Sequence, residues 1–205
     1  RNSVHLGRGL DSVTLGIVGK GAVGSCVARK AVASGMKVQC FSWSRSTDSV
    51  IGNVHVCASL EELLQTSDVV TLHCPLSTST FHLIDDARLR LMKHGSYLIN
   101  TARGAVVDTE ALIRALGSGK LAGAGLDVFG NELNGIDPYT MRSDEVVCQS
   151  HMAGLTEGSF ERAEEECLAN VEAHVETGRP VAPAQLCSLA DTCSIVLLTW
   201  VDCNS

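Results

Sequence analysis

The chain has 205 residues, of which 45% are hydrophobic, 19% charged and only 4% aromatic, and its formal net charge is −7. That length supplies one good-sized core, built from Val, Leu, Ile and Ala, and leaves too little for two full domains. The negative charge argues against a surface that tracks nucleic acid or anionic lipid, although a local basic pocket can still take a phosphate.

Short β-branched runs alternate with longer amphipathic segments. Val13 to Val18 reads as a strand, and Ala22 to Ser34 as a helix with Val23, Val27, Ala28 and Ala31 on its apolar side. Lys37 to Phe41 is the next strand. Ser59-Leu60-Glu61-Glu62 is a capping box opening a short helix, with Leu60, Leu63 and Leu64 turned inward, and it feeds a strand from Val69 to His73. Ser96 to Asn100 is another strand. Asp108 caps a helix carrying Leu112, Ile113 and Leu116, closed by Gly117 and Gly119, and strands follow at Ala122 to Asp127 and Glu145 to Gln149. This alternation predicts an α/β fold, a Rossmann-like doubly wound parallel sheet, because parallel neighbours need a helical crossover between them. A long helix is expected from Thr156 to Thr177, with Phe160, Ala163, Cys167, Val171 and Val175 in one stripe, ended by Gly178 and Pro180. The expected division is a dinucleotide-binding domain over 1–155, the helix over 156–181 and an irregular tail over 182–205.

The nine cysteines are scattered without the short spacing of a zinc knuckle or redox dithiol, so they read as reduced thiols, several of them inside apolar runs. The start shows no basic-then-apolar leader, and the run from Ile195 to Trp200 is too short to span a bilayer. A soluble, cytoplasmic protein with no membrane partner is therefore expected.

Gly19-Lys20-Gly21-Ala22-Val23-Gly24 fits G-x-G-x-x-G between a predicted strand and a predicted helix. Gly19 permits the tight turn, Gly21 lets backbone approach a pyrophosphate, and Gly24 allows close packing, while the helix start at Ala22 and Val23 offers N–H groups to the anion. At the end of the second strand, where an NAD site needs a carboxylate for the ribose, the sequence instead reads Phe41-Ser42-Trp43-Ser44-Arg45-Ser46. Ser44, Arg45 and Ser46 offer hydroxyl and guanidinium donors to a 2′-phosphate, so NADP(H) is the expected cofactor and NAD(H) the looser alternative. The plainer reading leaves Arg45 as a solvated loop residue.

Three segments beyond predicted strand ends carry further chemistry: Asn100-Thr101-Ala102-Arg103-Gly104, Leu126-Asp127-Val128-Phe129 with Glu132 behind it, and Gln149-Ser150-His151-Met152-Ala153-Gly154. An arginine, an acid and a histidine on one sheet edge beside a nicotinamide make a carbonyl-reducing site. Taken singly, Arg103 reads as a turn arginine, Glu132 as a solvated acid, Asp127 as a local cap and His151 as a structural histidine.

With the glycine loop and His73-Cys74-Pro75-Leu76, these motifs give a sequence that resembles the D-isomer-specific 2-hydroxyacid dehydrogenase family from about Val13 to Pro180. The Phe41 to Ser46 stretch is most similar to its NADPH-using hydroxypyruvate, hydroxyphenylpyruvate and glyoxylate reductases. The resemblance implies that Arg103 grips the substrate carboxylate and keto oxygen, that His151 protonates that oxygen, and that Glu132 holds the imidazole. It implies cofactor contacts from Thr101 and Asp127 toward the nicotinamide, from Pro75 at the adenine and from Thr80 near the phosphates, with Cys74, Ala102 and Gly154 among the further cofactor-binding residues. It also implies a small-molecule 2-oxoacid or 2-hydroxyacid partner and a homodimer. Two departures stand out: Leu133 where the family usually has proline, and Ala22 where it often has arginine. The family's substrate domain is built mainly ahead of the first strand, where this sequence has only a dozen or so residues, so the expectation is a cofactor domain without its lid, with weak turnover. The alternatives are a dinucleotide-sensing, corepressor-like scaffold or a product with no activity.

Overall fold

The computed structural model describes residues 9–43, 54–130 and 136–181. Ser44, Arg45, Ser46, Glu132, Leu133 and the tail from 182 lie outside the described residues. The chain divides into two units, 1–151 and 152–205.

The first unit is built on a seven-stranded sheet: β1 Thr14–Val18, β2 Lys37–Phe41, β3 Val54–Val56, β4 Val69–Leu72, β5 Ser96–Asn100, β6 Leu121–Leu126 and β7 Val146–Cys148. Its spatial order is β3-β2-β1-β4-β5-β6-β7. Every pairing is parallel, so all strands end on one edge. The order reverses between β1 and β4, the switch point at which such sheets bind ligands.

Helices lie on both faces. On one, α1 (Ala22–Ala33) buries Ala28 and Ala31 against Leu15, Ile17, Val38 and Cys40. On the other, α2 (Leu60–Thr66), α3 (Asp86–Leu91) and α4 (Thr109–Gly117) enclose the larger core of Val18, Leu63, Leu64, Val70, Leu72, Leu98 and Leu116. Strand β1 serves both layers through its period of two: Leu15 and Ile17 face α1, while Gly16 and Val18 face α2. Gly16 is required because a Cβ there would meet Leu63 Cδ2 at 2.7 Å and collide with Ser67 Oγ. A five-residue α5 (Pro138–Arg142) begins with proline at its first turn and is capped by Asp137, whose carboxylate accepts from the Tyr139 N–H.

Three helices start as the sequence dictates. The Asp108 carboxylate accepts from the Ala111 N–H at 3.1 Å, and Ser59 Oγ from the Glu62 N–H at 3.1 Å. The return arm of that capping box is shifted by one residue, since Glu62 Oε2 accepts from Ala58 N–H at 2.7 Å. In the second unit, Thr156 caps α6 (Glu157–Thr177), and Gly178 ends it at φ 73°. None of the α6 residues is buried.

One sequence expectation is corrected here. Val23 does not join the apolar side of α1: it is 62% exposed in the helix's first turn, at the rim of the sheet's carboxyl edge, while buried Gly24 takes the inward position.

Candidate functional site: the carboxyl edge of the sheet

The glycine loop has the backbone that its three glycines demand. Gly19 sits at φ 99°, in the left-handed region, and a Cβ there would meet the His73 carbonyl oxygen at 2.5 Å. The loop after β1 is thereby pressed onto the loop after β4, across the switch point. A Cβ on Gly24 would collide with the Gly19 carbonyl oxygen, so the turn closes on its own helix. Gly21 is different: among the described residues nothing lies within 4 Å of the place a Cβ would take. It is also the N-cap of α1, with no side-chain hydrogen bond to the helix's first N–H groups. An open approach to uncapped N–H groups at the positive end of a helix fits the pyrophosphate of a dinucleotide.

The loop after β4 is held from both ends. His73 N–H donates to Val18 O at 2.7 Å, continuing the β1–β4 pairing past the last strand residue. His73 is partly buried, which lowers its pKa, and its Nε2 lies 3.0 Å from Thr71 Oγ1. Cys74 is buried, and burial pushes its thiol up to about 11. Thr80 Oγ1 donates to Pro75 O at 2.6 Å and accepts the Ser77 N–H at 2.8 Å. The Thr80 hydroxyl thus braces the loop that presents exposed Pro75.

After β5, a residue of the motif to which the sequence assigns no role organises the turn. Asn100 is 1% exposed, its Nδ2 donates to Arg103 O at 2.9 Å, and its Oδ1 accepts the Ala102 N–H at 3.1 Å. This amide fixes the Thr101-Ala102-Arg103 turn, leaving Thr101 and Arg103 exposed. Arg103 Nη1 donates to Ala102 O at 2.7 Å, and the guanidinium makes no ion pair with the described residues. Asp127, just past β6, is buried and its N–H donates to Asn100 O at 3.0 Å, which ties the two loops together. Gly104 has no room for a Cβ because the Phe129 backbone lies against it. His151 follows β7 at φ 57°, an unusual conformation for a side-chain-bearing residue. Arg103 and His151 therefore follow β5 and β7, with Asp127 following β6 between them. Gly154 belongs to the second unit, and a Cβ there would meet nothing within 4 Å.

At the end of β2, exposed Trp43 packs edge-on against Phe41, with ring centroids 5.1 Å apart. Both line a cleft of about 280 Å³ with Ser59, Glu61, Ser79 and Arg88. Arg88 donates through Nη1 to Leu83 O at 3.0 Å and approaches Glu61 at 3.5 Å, while its buried Nε has no hydrogen-bond partner among the described residues. No motif flagged Arg88, which reaches this cleft only through the packing of α3 beside α2. A larger cavity, about 820 Å³, is lined by Asn100, Gly104, Phe129 and Pro138 but by none of Arg103, Asp127 and His151.

The sheet order, the switch-point glycine loop and the uncapped α1 define a dinucleotide-binding α/β domain of the Rossmann type. Residues 1–153 match the model of the D-isomer specific 2-hydroxyacid dehydrogenase, NAD binding domain, and the chain belongs to that family. It is 46% identical over 171 residues to the dehydrogenase efuE of Hormonema carpetanum, covering 82% of this chain and 42% of that protein. The crystal structure of a glyoxylate reductase from Paecilomyes thermophila superimposes with a TM-score of 0.81 at 34% identity, covering 88% of this chain and 55% of the other. The D-lactate dehydrogenase of Aquifex aeolicus, solved with NAD and lactic acid, gives 0.75 at 39% identity, covering 87% and 60%. The chain thus spans roughly half the length of these relatives. Among the described residues no helix is long and apolar enough to cross a membrane.

Proposed function

We propose that this chain is the cofactor-binding half of an NADPH-dependent reductase acting on a small 2-oxoacid of the hydroxypyruvate, hydroxyphenylpyruvate or glyoxylate kind. The observation that carries the reading is the open Gly21 at an uncapped helix start, on the same sheet edge as Arg103, Asp127 and His151. Gly19, Gly21, Ala22, Val23 and Gly24 hold the pyrophosphate. Cys74 and Pro75 border the adenine, with Thr80 setting their loop. Thr101, Ala102 and Asp127 border the nicotinamide, which when bound supplies the hydride.

Arg103 takes the substrate carboxylate and keto oxygen through paired charge-assisted hydrogen bonds. Its guanidinium is available for this because it is exposed and makes no ion pair with the described residues, donating through Nη1 to Ala102 O. His151 gives its proton to the keto oxygen, and Glu132 orients the imidazole and favours its charged form. Ser44, Arg45 and Ser46 select the 2′-phosphate. In the whole protein, the part that completes the cleft excludes water from the ketone. The 205-residue chain alone is expected to bind cofactor and turn substrate over weakly. The family resemblance further supports a cytoplasmic homodimer.

Titration of NADPH and NADH into the purified chain, with Arg45→Asp beside it, tests the cofactor reading. NADPH is expected to bind at least about 10-fold tighter, with the preference lost in the variant; that ratio corresponds to about 1.4 kcal/mol. Equal affinities unaffected by the substitution would discard the phosphate reading.

A further inference from the structure

We propose that His55, Cys57 and Glu62 form a Zn²⁺ site that ties the edge strand β3 to the first turn of α2. Each of the three offers one ligand atom, and those atoms lie within 4.8 Å of one another. Nitrogen, sulfur and carboxylate oxygen together are a zinc donor set, whereas Mg²⁺ and Ca²⁺ take oxygen alone.

The backbone under each ligand is fixed before any ion arrives. His55 lies in β3, in register with Gln39 of β2. Cys57 N–H donates to Cys40 O at 2.9 Å, continuing that pairing one residue beyond the strand. Glu62 is held by its Oε2, which accepts from Ala58 N–H at 2.7 Å, and this leaves Oε1 pointing toward His55. The capping role of Glu62 therefore uses one oxygen and presents the other.

The distance between the other two ligands is informative. His55 Nε2 and Glu62 Oε1 are 3.4 Å apart. That is long for an N–H···O hydrogen bond, but it is close to the roughly 3.4 Å edge between two ligands about 2.1 Å from one tetrahedral zinc. Cys57 Sγ has to approach by at most about 1.2 Å to complete the third corner. The charges also match: a thiolate and a carboxylate offset the divalent ion, with imidazole neutral. On binding, the Cys57 sulfur forms the Zn–S bond and releases its proton to solvent. His55 is exposed, so the fourth position faces water. Nothing in the spacing of the cysteines signals the cluster, because it draws one cysteine, one histidine and one glutamate from a strand, a turn and a helix.

The test needs no dinucleotide and is independent of the reductase reading. The full chain, stripped with a chelator, is titrated with Co²⁺ and followed by absorbance, then with Zn²⁺ in competition against a chromogenic chelator. One equivalent is expected, with a thiolate-to-cobalt charge-transfer band that Cys57→Ser abolishes. His55→Ala, at an exposed position where folding is preserved, is expected to weaken Zn²⁺ by more than the about 10- to 100-fold that loss of an outer-sphere partner costs. His55→Cys is expected to restore most of the affinity, a rescue that a purely structural histidine would not show. A band that survives Cys57→Ser, an affinity unchanged by His55→Ala, or no thiolate band at saturating Co²⁺ would each overturn the site.

Discussion

Among single residues, Gly19 and Gly21 separate what the fold needs from what the ligand needs. A Cβ at Gly19 is opposed by φ 99° and by the His73 carbonyl, so Gly19→Ala is expected to lower stability by about 1–3 kcal/mol, read as a fall in the thermal midpoint. At Gly21 the backbone (φ −80°, ψ −167°) suits any residue and the surroundings are open. Gly21→Ala is therefore expected to leave the stability within about 1 kcal/mol of the parent while weakening dinucleotide binding at least about 10-fold. If both variants lost stability equally, the open side of Gly21 would not be the ligand's approach. The cysteines give a second contrast. Cys57 is pushed up to about 11 by burial and then by the charges of Glu62 and Cys40, and Cys74 to about 11 by burial, whereas Cys167 is exposed. At neutral pH only about one in ten thousand of the two buried thiols is ionised. In the metal-free chain, peptide-level mass spectrometry of timed alkylation is expected to find Cys167 labelled well before Cys57 and Cys74.

Elements were legible in the sequence where they were long enough to show a period. The runs of β2 and β5 are seen as written, and α6 starts and stops on Thr156 and Gly178. The elements that went unread are short: β3 has three residues with His55 and Val56 exposed, α3 buries only Leu89, and α5 has five residues. None offers the apolar recurrence that a window of about 11–18 residues requires. Asn100 escaped for another reason, since its brace is a matter of side-chain geometry within a turn. The same holds for the His73 ring at the end of β4. Burial lowers its pKa below the ordinary 6.5, so the unfolded chain binds more protons in the window between the two values. Its contribution to stability is complete above pH 6.5 and is lost as pH falls through the folded value. Glu62, whose pKa is lowered first by the Ala58 N–H, acts the same way only below 4.5. Thermal midpoints at pH 7.5 and 5.5 consequently probe His73 rather than Glu62, and the drop is expected to shrink in His73→Gln. An equal drop in both proteins would assign the acid sensitivity elsewhere.

At the scale of the whole molecule, the parallel sheet was predictable because each strand and crossover helix carries its own pattern, and the glycine loop marks where the order reverses. The candidate site was legible to the extent that its proposed residues follow strand ends, which a parallel sheet collects on one edge. The two core clusters draw on residues from Leu15 to Val146, all within the unit that ends at His151. Helix α6 buries none of its residues and leaves Phe160 50%, Leu168 64%, Val171 62% and Val175 79% exposed. A chain cut after His151 keeps every strand among the described residues, both clusters and the glycine loop. It is expected to unfold cooperatively, with a midpoint within about 2–4 °C of the parent, the shift that about 1 kcal/mol produces at this size. It should still bind a dinucleotide through the glycine loop, and it should associate less at high concentration, because the apolar stripe of α6 has been removed. Sedimentation of the two chains side by side reads the association. A cut chain that fails to fold would show that the second unit supplies part of the first unit's stability.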